Sequence, residues 1–206
     1  MINVLLTGVG GQGTVLAAKV LAEAARSKGW KVRAAETIGM AQRGGSVISH
    51  VRMGNDGEDV HAPLITVGTA DLVIAFEPGE AARVLPYLAK DGVLVTATTP
   101  LQPVTAALSH VAYSADDVIH GIENALIAHG CSRDALVAID DASILAEANT
   151  NRKALNTVLL ACAIAQGRIP VSVNDLKAAV TACVKPRFKD MNLAAVDAAA
   201  ASISQR

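Results

Sequence analysis

The chain opens with an apolar segment, Ile2-Asn3-Val4-Leu5-Leu6-Thr7, that runs directly into Gly8-Val9-Gly10-Gly11-Gln12-Gly13. A helical pattern rich in Ala and Leu follows over residues 14–28, and Gly29 supplies a C-terminal stop. Strand, glycine-rich turn and helix are the parts of a phosphate-binding βα unit. The glycines let the backbone turn sharply and approach an anion, and the helix start presents free N–H groups and a positive dipole end. Gly8, Gly10 and Gly13 satisfy the G-x-G-x-x-G spacing of dinucleotide-binding folds. A second strand over residues 30–35 ends at Glu36, where an acidic side chain could bind a ribose 2′-hydroxyl. The same glycines would also let the first helix pack tightly on a sheet with nothing bound, so the motif alone leaves both readings open.

Downstream, strand-like and helix-like segments alternate. Residues 47–53 read as a strand, Gly54-Asn55-Asp56-Gly57 as a hairpin-like turn and residues 60–64 as a short return strand. Residues 70–76 are almost wholly apolar, as a strand buried on both faces should be. Glu77-Pro78 opens a helix expected to run to about residue 90, and Asp91-Gly92 turns the chain into a strand over residues 93–97. A short strand near residues 110–113, a helix over 115–129 and a strand over 136–139 follow. From Asp141 the pattern is helical, broken near residues 150–151, 167–170 and 185–186. These segments predict one domain over residues 1–206. Its fold class is α/β: a Rossmann-like, mostly parallel sheet with helices on both faces, a hairpin insertion after strand two and a helical C-terminal region. Ligands of such sheets bind beyond the carboxyl ends of the strands, where residues 8–13, Glu36 and Glu77 all fall.

Composition narrows the function classes. Hydrophobic residues make up 51% and aromatics only 2%, so the core is aliphatic and there is no base-stacking platform for single-stranded nucleic acid. A net charge of −1 gives no electrostatic case for nucleic acid or an anionic membrane. No run approaches the roughly 18–20 apolar residues of a membrane span, and no basic leader precedes the first apolar run, so a cytoplasmic location is expected. Cys131, Cys162 and Cys183 are scattered and form no C-x-x-C; an iron–sulfur cluster or zinc held by this chain alone is not expected. His50 lies on a strand and reads as structural or interfacial, while His61, His110, His120 and His129 have no ligand spacing. Glu77 and Glu80 read as first-turn helix residues, and Asp116-Asp117 and Asp140-Asp141 as helix starts. The alanine-rich tail over residues 193–201 reads as a packed helix or a partner contact.

The loop after Glu36 changes the reading. An ordinary dinucleotide fold would continue into a crossover helix; here the chain gives Gly39-Met40-Ala41-Gln42-Arg43-Gly44-Gly45-Ser46 and then a strand. Gly44-Gly45 permits close backbone approach, and Arg43 offers a planar fork of donors suited to carboxylate or phosphate. In isolation this is equally a surface turn with a solvated arginine. Together with the first glycine run, the sequence resembles the smaller, gamma-type subunit of the 2-oxoacid:ferredoxin oxidoreductases, most closely the beta subunit of the indolepyruvate enzymes. Further matching stretches are His50-Val51-Arg52-Met53-Gly54, Ala62-Pro63-Leu64-Ile65, Ala70-Asp71 and Phe76-Glu77-Pro78-Gly79-Glu80-Ala81-Ala82-Arg83, with Asn156, Leu160, Asn192 and Ala194-Ala195 near the end. Ala161 stands where the family usually has glycine, and residues 102–149 match only in outline.

The resemblance implies oxidative decarboxylation of a 2-oxoacid to an acyl-CoA. Thiamine diphosphate, Mg and iron–sulfur clusters are expected in a large alpha subunit, with ferredoxin served through the complex and coenzyme A as a shared substrate. This chain has neither cluster cysteines nor a Gly-Asp-Gly thiamine motif, so it is expected to bind no cofactor alone, to carry no catalytic residue and to be inactive by itself. The residues expected to face an anion, in coenzyme A or the substrate carboxylate, are Gly8, Gly10, Gly11, Gln12, Gly13 and Thr14 with Gln42, Arg43, Gly44 and Gly45. The alternatives are a gamma subunit of a pyruvate or other 2-oxoacid enzyme, an independent dinucleotide-binding module using Glu36, and a lid whose glycine loop binds nothing.

Overall fold

The computed structural model describes residues 1–39, 44–101 and 113–204. The first apolar run forms β1 (Ile2–Val9), with Val4, Leu5 and Leu6 fully buried. α1 (Thr14–Ser27) leads to β2 (Lys31–Ile38), which returns through the second glycine segment into β3 (Ser46–Gly54). β4 (Ala70–Ala75), α2 (Pro78–Val84), β5 (Leu88–Ala97), α3 (Ala115–Ala128) and β6 (Leu136–Ile139) follow. Four helices complete the described chain: α4 (Asp141–Glu147), α5 (Leu155–Ala165), α6 (Val173–Cys183) and α7 (Lys189–Ser204).

The sheet has six strands in the order β2-β3-β1-β4-β5-β6. β1, β4, β5 and β6 pair in parallel, whereas β3 is antiparallel to both of its neighbours. Alternation along β1 sends Leu6 to one face and Leu5 to the other. Val4, Leu6, Leu72, Ile74, Val93 and Val95 meet α1 and the C-terminal helices on the first face. Leu5, Val73, Ala75 and Leu94 lie under α2 and α3 on the second. Helices therefore cover both faces, as the alternating pattern predicts.

α5 is buried from Leu155 to Ile164, the signature of a helix enclosed on all sides. Thr157 and Asn192 form a polar anchor between it and α7. The Thr157 hydroxyl donates to Asn192 Oδ1 at 2.5 Å, and Asn192 Nδ2 donates to the Phe188 carbonyl at 2.7 Å. The alanine-rich tail is thus a packed helix, with Ala195, Val196 and Ala199 buried in α7. Residues 203 and 204 end the described helix, and no helix among the described residues is long and apolar enough to cross a membrane.

Several local expectations need correction. The hairpin after strand two is β2 with β3 itself, and residues 60–64 form no return strand. α2 ends at Val84 instead of near residue 90, because Pro86 has no N–H to continue an α-helix; a single 3-10 turn (Leu85–Tyr87) intervenes. β5 accordingly starts at Leu88, and Asp91-Gly92 sits inside it as an irregularity, where Ala70 pairs with Leu88 but Leu72 already pairs with Val93. A Cβ at Gly92 would lie 2.6 Å from the Ala70 carbonyl oxygen, so only glycine fits there. The strand expected near residues 110–113 lies outside the described residues up to 112, and Tyr113 is not in a strand.

His50 holds the crossing segment after β3 against the sheet. It is 4% exposed, its Nδ1 accepts the Ile65 N–H at 3.2 Å, and its ring meets Tyr87 edge-on at 5.9 Å. Burial keeps its pKa below the usual 6.5. The unfolded chain therefore binds this proton more readily, and the stability His50 contributes is lost as pH falls below about 6.5. Melting temperature measured from pH 8 to pH 5 should fall more steeply in the native chain than in His50→Phe, which has no proton to take up.

Candidate functional site

The carboxyl end of the sheet brings both glycine segments together. Gly10 N–H donates to the Gly45 carbonyl at 2.8 Å, continuing the β1–β3 ladder into the turns. Gly39 N–H donates to the Ser46 carbonyl at 2.9 Å and closes the β2–β3 end. Gly10, Gly11 and Gly44 are exposed, and a Cβ at Gly11 would meet nothing within 4 Å. The turn's open side thus faces outward, beyond the strands. Gln42 and Arg43 lie outside the described residues.

Gln12 is a strut. Its Oε1 accepts the Val9 N–H at 2.7 Å, and its Nε2 donates to the Phe76 carbonyl at 2.9 Å. Phe76 N–H in turn donates to the Thr7 carbonyl at 2.9 Å. One side chain therefore ties the end of β1 to the residue after β4, across the point where connections diverge to opposite faces of the sheet. A Cβ on Gly8 would sit 2.8 Å from Gln12 Oε1 and 3.1 Å from the Phe76 ring, so the strut requires glycine there. Both ends of the Gln12 amide are engaged within the chain, which leaves the main chain to present donors outward.

Gly13 carries φ 84° as the N-cap of α1 and supplies no side-chain cap. The N–H groups of the helix's first turn consequently have no intrahelical acceptor. Its carbonyl accepts both Ala17 N–H at 3.0 Å and Asn156 Nδ2 at 3.2 Å, so α5 docks onto the turn. A Cβ on Gly13 would approach Asn156 Nδ2 to 2.8 Å. Thr14 and Asn156 are each 2% exposed, and Thr14 Oγ1 and Asn156 Oδ1 are buried without a hydrogen-bond partner among the described residues.

α2 presents a different chemistry beside these turns. Glu77, 1% exposed, caps the helix by accepting the Glu80 N–H at 3.0 Å. Its other oxygen accepts the Tyr113 hydroxyl at 2.5 Å, and that hydroxyl accepts the Gly79 N–H at 2.9 Å. Burial first, and then the bond to Glu77, push the Tyr113 pKa up, so the phenol stays a proton donor. Glu80 accepts the Ser46 hydroxyl at 2.5 Å and pairs with the exposed Arg83 at 3.3 Å. A continuous belt of hydrogen bonds thus links the second glycine segment to α2 and to Tyr113. Tyr113 is missed by sequence reasoning, although it is one of only two tyrosines and the other is Tyr87.

Glu36 does not join this group. β3 lies between β2 and β1, so Glu36 pairs with Ser49, which pairs with Leu6. The acidic residue is displaced by one whole strand spacing, about 5 Å, from where a dinucleotide fold places it beside the first strand. Cys162 is buried in α5, and the described residues hold no group of three or more His, Cys, Asp or Glu suited to a metal ion.

Substitutions separate strain from steric contact at the turn. Gly11→Ala should cost about 1–2 kcal/mol, from its φ alone, since the space around it is open. Gly13→Ala should cost about 2 kcal/mol or more, because the Asn156 contact adds to the φ penalty. Adding Asn156→Ala to Gly13→Ala should recover part of that excess, so the two changes are non-additive in urea unfolding.

The model of the pyruvate ferredoxin/flavodoxin oxidoreductase family matches residues 3–202. The chain is 35% identical over 196 residues to the indolepyruvate oxidoreductase subunit IorB of Pyrococcus horikoshii, covering 95% of this chain and 92% of that one. It is 34% identical to the IorB subunit of Archaeoglobus fulgidus over the same shares of the two chains. Its fold superposes on the keto/oxoacid ferredoxin oxidoreductase gamma subunit of Geobacter sulfurreducens with a TM-score of 0.69 at 19% identity, covering 100% of both chains. It also superposes on 31% of the 2-oxoglutarate:ferredoxin oxidoreductase chain of Magnetococcus marinus, with a TM-score of 0.68 at 17% identity and 100% of this chain covered. The family match over residues 3–202, with 35% identity to an IorB subunit over 95% of the chain, places this chain in the pyruvate ferredoxin/flavodoxin oxidoreductase family.

Proposed function

We propose that this chain is the small, cluster-free subunit of a thiamine diphosphate-dependent arylpyruvate:ferredoxin oxidoreductase, which oxidatively decarboxylates its substrate to an acyl-CoA. Full-length similarity to subunits named for indolepyruvate supports the arylpyruvate assignment. The observation that carries a site is the Gly10–Gly45 hydrogen bond, which joins two glycine segments far apart in sequence at one sheet edge. On this reading Gly10, Gly11, Gln12, Gly13 and Thr14, with Gln42, Arg43, Gly44 and Gly45, face an anionic group of coenzyme A or the substrate carboxylate, while the buried Gly8 shapes the turn beneath the strut. Gln12 serves through its main chain and through the strut, Thr14 through the helix start, and Arg43 as the cation. Thiamine diphosphate, Mg and iron–sulfur clusters belong to a larger partner subunit, which also passes electrons to ferredoxin. The described residues include no group of three or more His, Cys, Asp or Glu that could hold a metal ion.

The displaced Glu36 weighs against an independent NAD-binding module. Thermal shift of the chain with NAD should accordingly show no stabilisation. Co-expression with a large thiamine- and cluster-bearing subunit should yield a complex that reduces ferredoxin with indolepyruvate in preference to pyruvate. In that complex Arg43→Ala should raise the apparent Michaelis constant for coenzyme A about tenfold, equivalent to roughly 1.4 kcal/mol of lost binding. An unchanged constant would remove Arg43 from coenzyme binding.

A further inference from the structure

The outer edge of β2 is a regular, open strand. Its register with β3 runs unbroken from Lys31 opposite Gly54 to Ile38 opposite Val47. Gly39 N–H donates to the Ser46 carbonyl, which fixes Gly39 and Ser46 as a hydrogen-bonded pair in the same register. In an antiparallel ladder such pairs alternate with pairs whose N–H and C=O groups point away. Lys31, Arg33, Ala35 and Thr37 therefore bond to β3, while Val32, Ala34, Glu36 and Ile38 direct their main-chain groups outward.

Two usual protections of an edge are missing from this strand. β2 contains no proline and no bulge. Its two cations do not guard the edge but are drawn onto the segment after β3. Lys31 Nζ bonds Asp59 at 2.6 Å, and Arg33 Nε bonds the Val60 carbonyl at 3.3 Å. Ile38, meanwhile, is 64% exposed.

One occupant fits this edge by symmetry. An antiparallel copy of β2 related by a two-fold axis perpendicular to the sheet must place side chains of the same face opposite one another. Centring that axis on Ala35 pairs Val32 with Ile38 of the second copy and Ala34 with Glu36. All the outward main-chain groups are then matched in hydrogen-bonded pairs, and none is left over at either end. Val32, partly buried against the first core, meets the exposed Ile38 on that same face. Arg33 falls opposite Thr37, Lys31 opposite Gly39 and Glu36 opposite Ala34, so no like charges confront each other directly. Small side chains, Ala35 against Ala35, occupy the axis. We propose that two copies of this chain associate through β2, extending their sheets into one continuous sheet across a two-fold axis.

Sedimentation velocity of the full chain at micromolar concentration tests the pairing. The expected mass is twice that of one chain, falling to a single chain in Ala34→Pro with an unchanged far-UV circular dichroism spectrum. Proline there removes only an outward N–H, so the fold is spared and the edge is blocked. Independently, Ala35→Cys should form a disulfide-linked dimer on mild oxidation. Its Cα atoms would be about 4.5 Å apart in a pair without hydrogen bonds, within disulfide range. Thr37→Cys and the native chain should not crosslink in this way. A monomeric native chain, an Ala34→Pro protein that stays dimeric, or no Ala35→Cys crosslink beyond the native background would each overturn the proposal. If the chain is monomeric and Ala34→Pro instead abolishes co-purification with a larger subunit, the edge belongs to that subunit and the self-pairing is wrong.

Discussion

The carboxamide of Gln12 holds the carboxyl end of the sheet together. β1 and β4 pair in parallel, but their following helices leave toward opposite faces, so main-chain groups at the ends of both strands would otherwise lack partners. Gln12 meets one from each strand, the Val9 N–H and the Phe76 carbonyl. In many α/β sheets the crevice at this divergence receives a ligand. Here a side chain already bridges it, and any ligand must lie outside the strut, against the exposed backbone of Gly10 and Gly11. The strut thus moves the available binding surface from a crevice within one chain to a rim that a second chain could close.

The helical C-terminal region is coupled to that rim through α5. Asn156 reaches across 143 residues of sequence to the Gly13 carbonyl, and α5 is in turn locked to α7 by Thr157 and Asn192. Because α5 is enclosed on all sides, it has little freedom to shift without disturbing the core. The shape of the first turn is therefore set at both ends, by Gln12 from the sheet and by Asn156 from the helices. A turn fixed this way presents its N–H groups in one geometry, which favours recognition of an anion by lowering the ordering cost of binding.

Local patterns in the sequence reveal the elements better than their neighbours. β1, α1, the wholly apolar β4 and the short β6 follow directly from apolar runs, glycines and caps. Pro86 could also have announced the early end of α2, since an interior proline breaks the helix whatever surrounds it. The order of strands is another matter. Nothing local to residues 46–54 tells that β3 inserts between β2 and β1, because pairing with β1 is a contact across many residues of chain. That single insertion moves Glu36 one strand away from the first strand, where the dinucleotide reading of the glycine spacing would need it. The site is legible in the same partial way: both glycine segments stand out in sequence, whereas Tyr113 does not. Its partnership with Glu77 depends on where the chain returns ahead of α3.

Two helix starts meet at this edge, and their chemistry assigns them different tasks. α2 begins with Glu77 and Glu80, whose carboxylates already accept the first-turn N–H, the Tyr113 phenol and the Ser46 hydroxyl. Negative charge is thus built into that positive end, and an incoming anion would meet repulsion there. α1 has Gly13 as its N-cap, carries no acidic residue in its first turn and has no side-chain cap. Among the described residues, the positive end of α1 is the one left without an answering side chain. Gly10 N–H donates to the Gly45 carbonyl beside it, so the described end of the second glycine segment meets the turn that leads into the uncapped helix. The carboxylates on α2 sharpen that choice: they hold Ser46, and with it the start of β3, in the position from which the second glycine segment reaches the first.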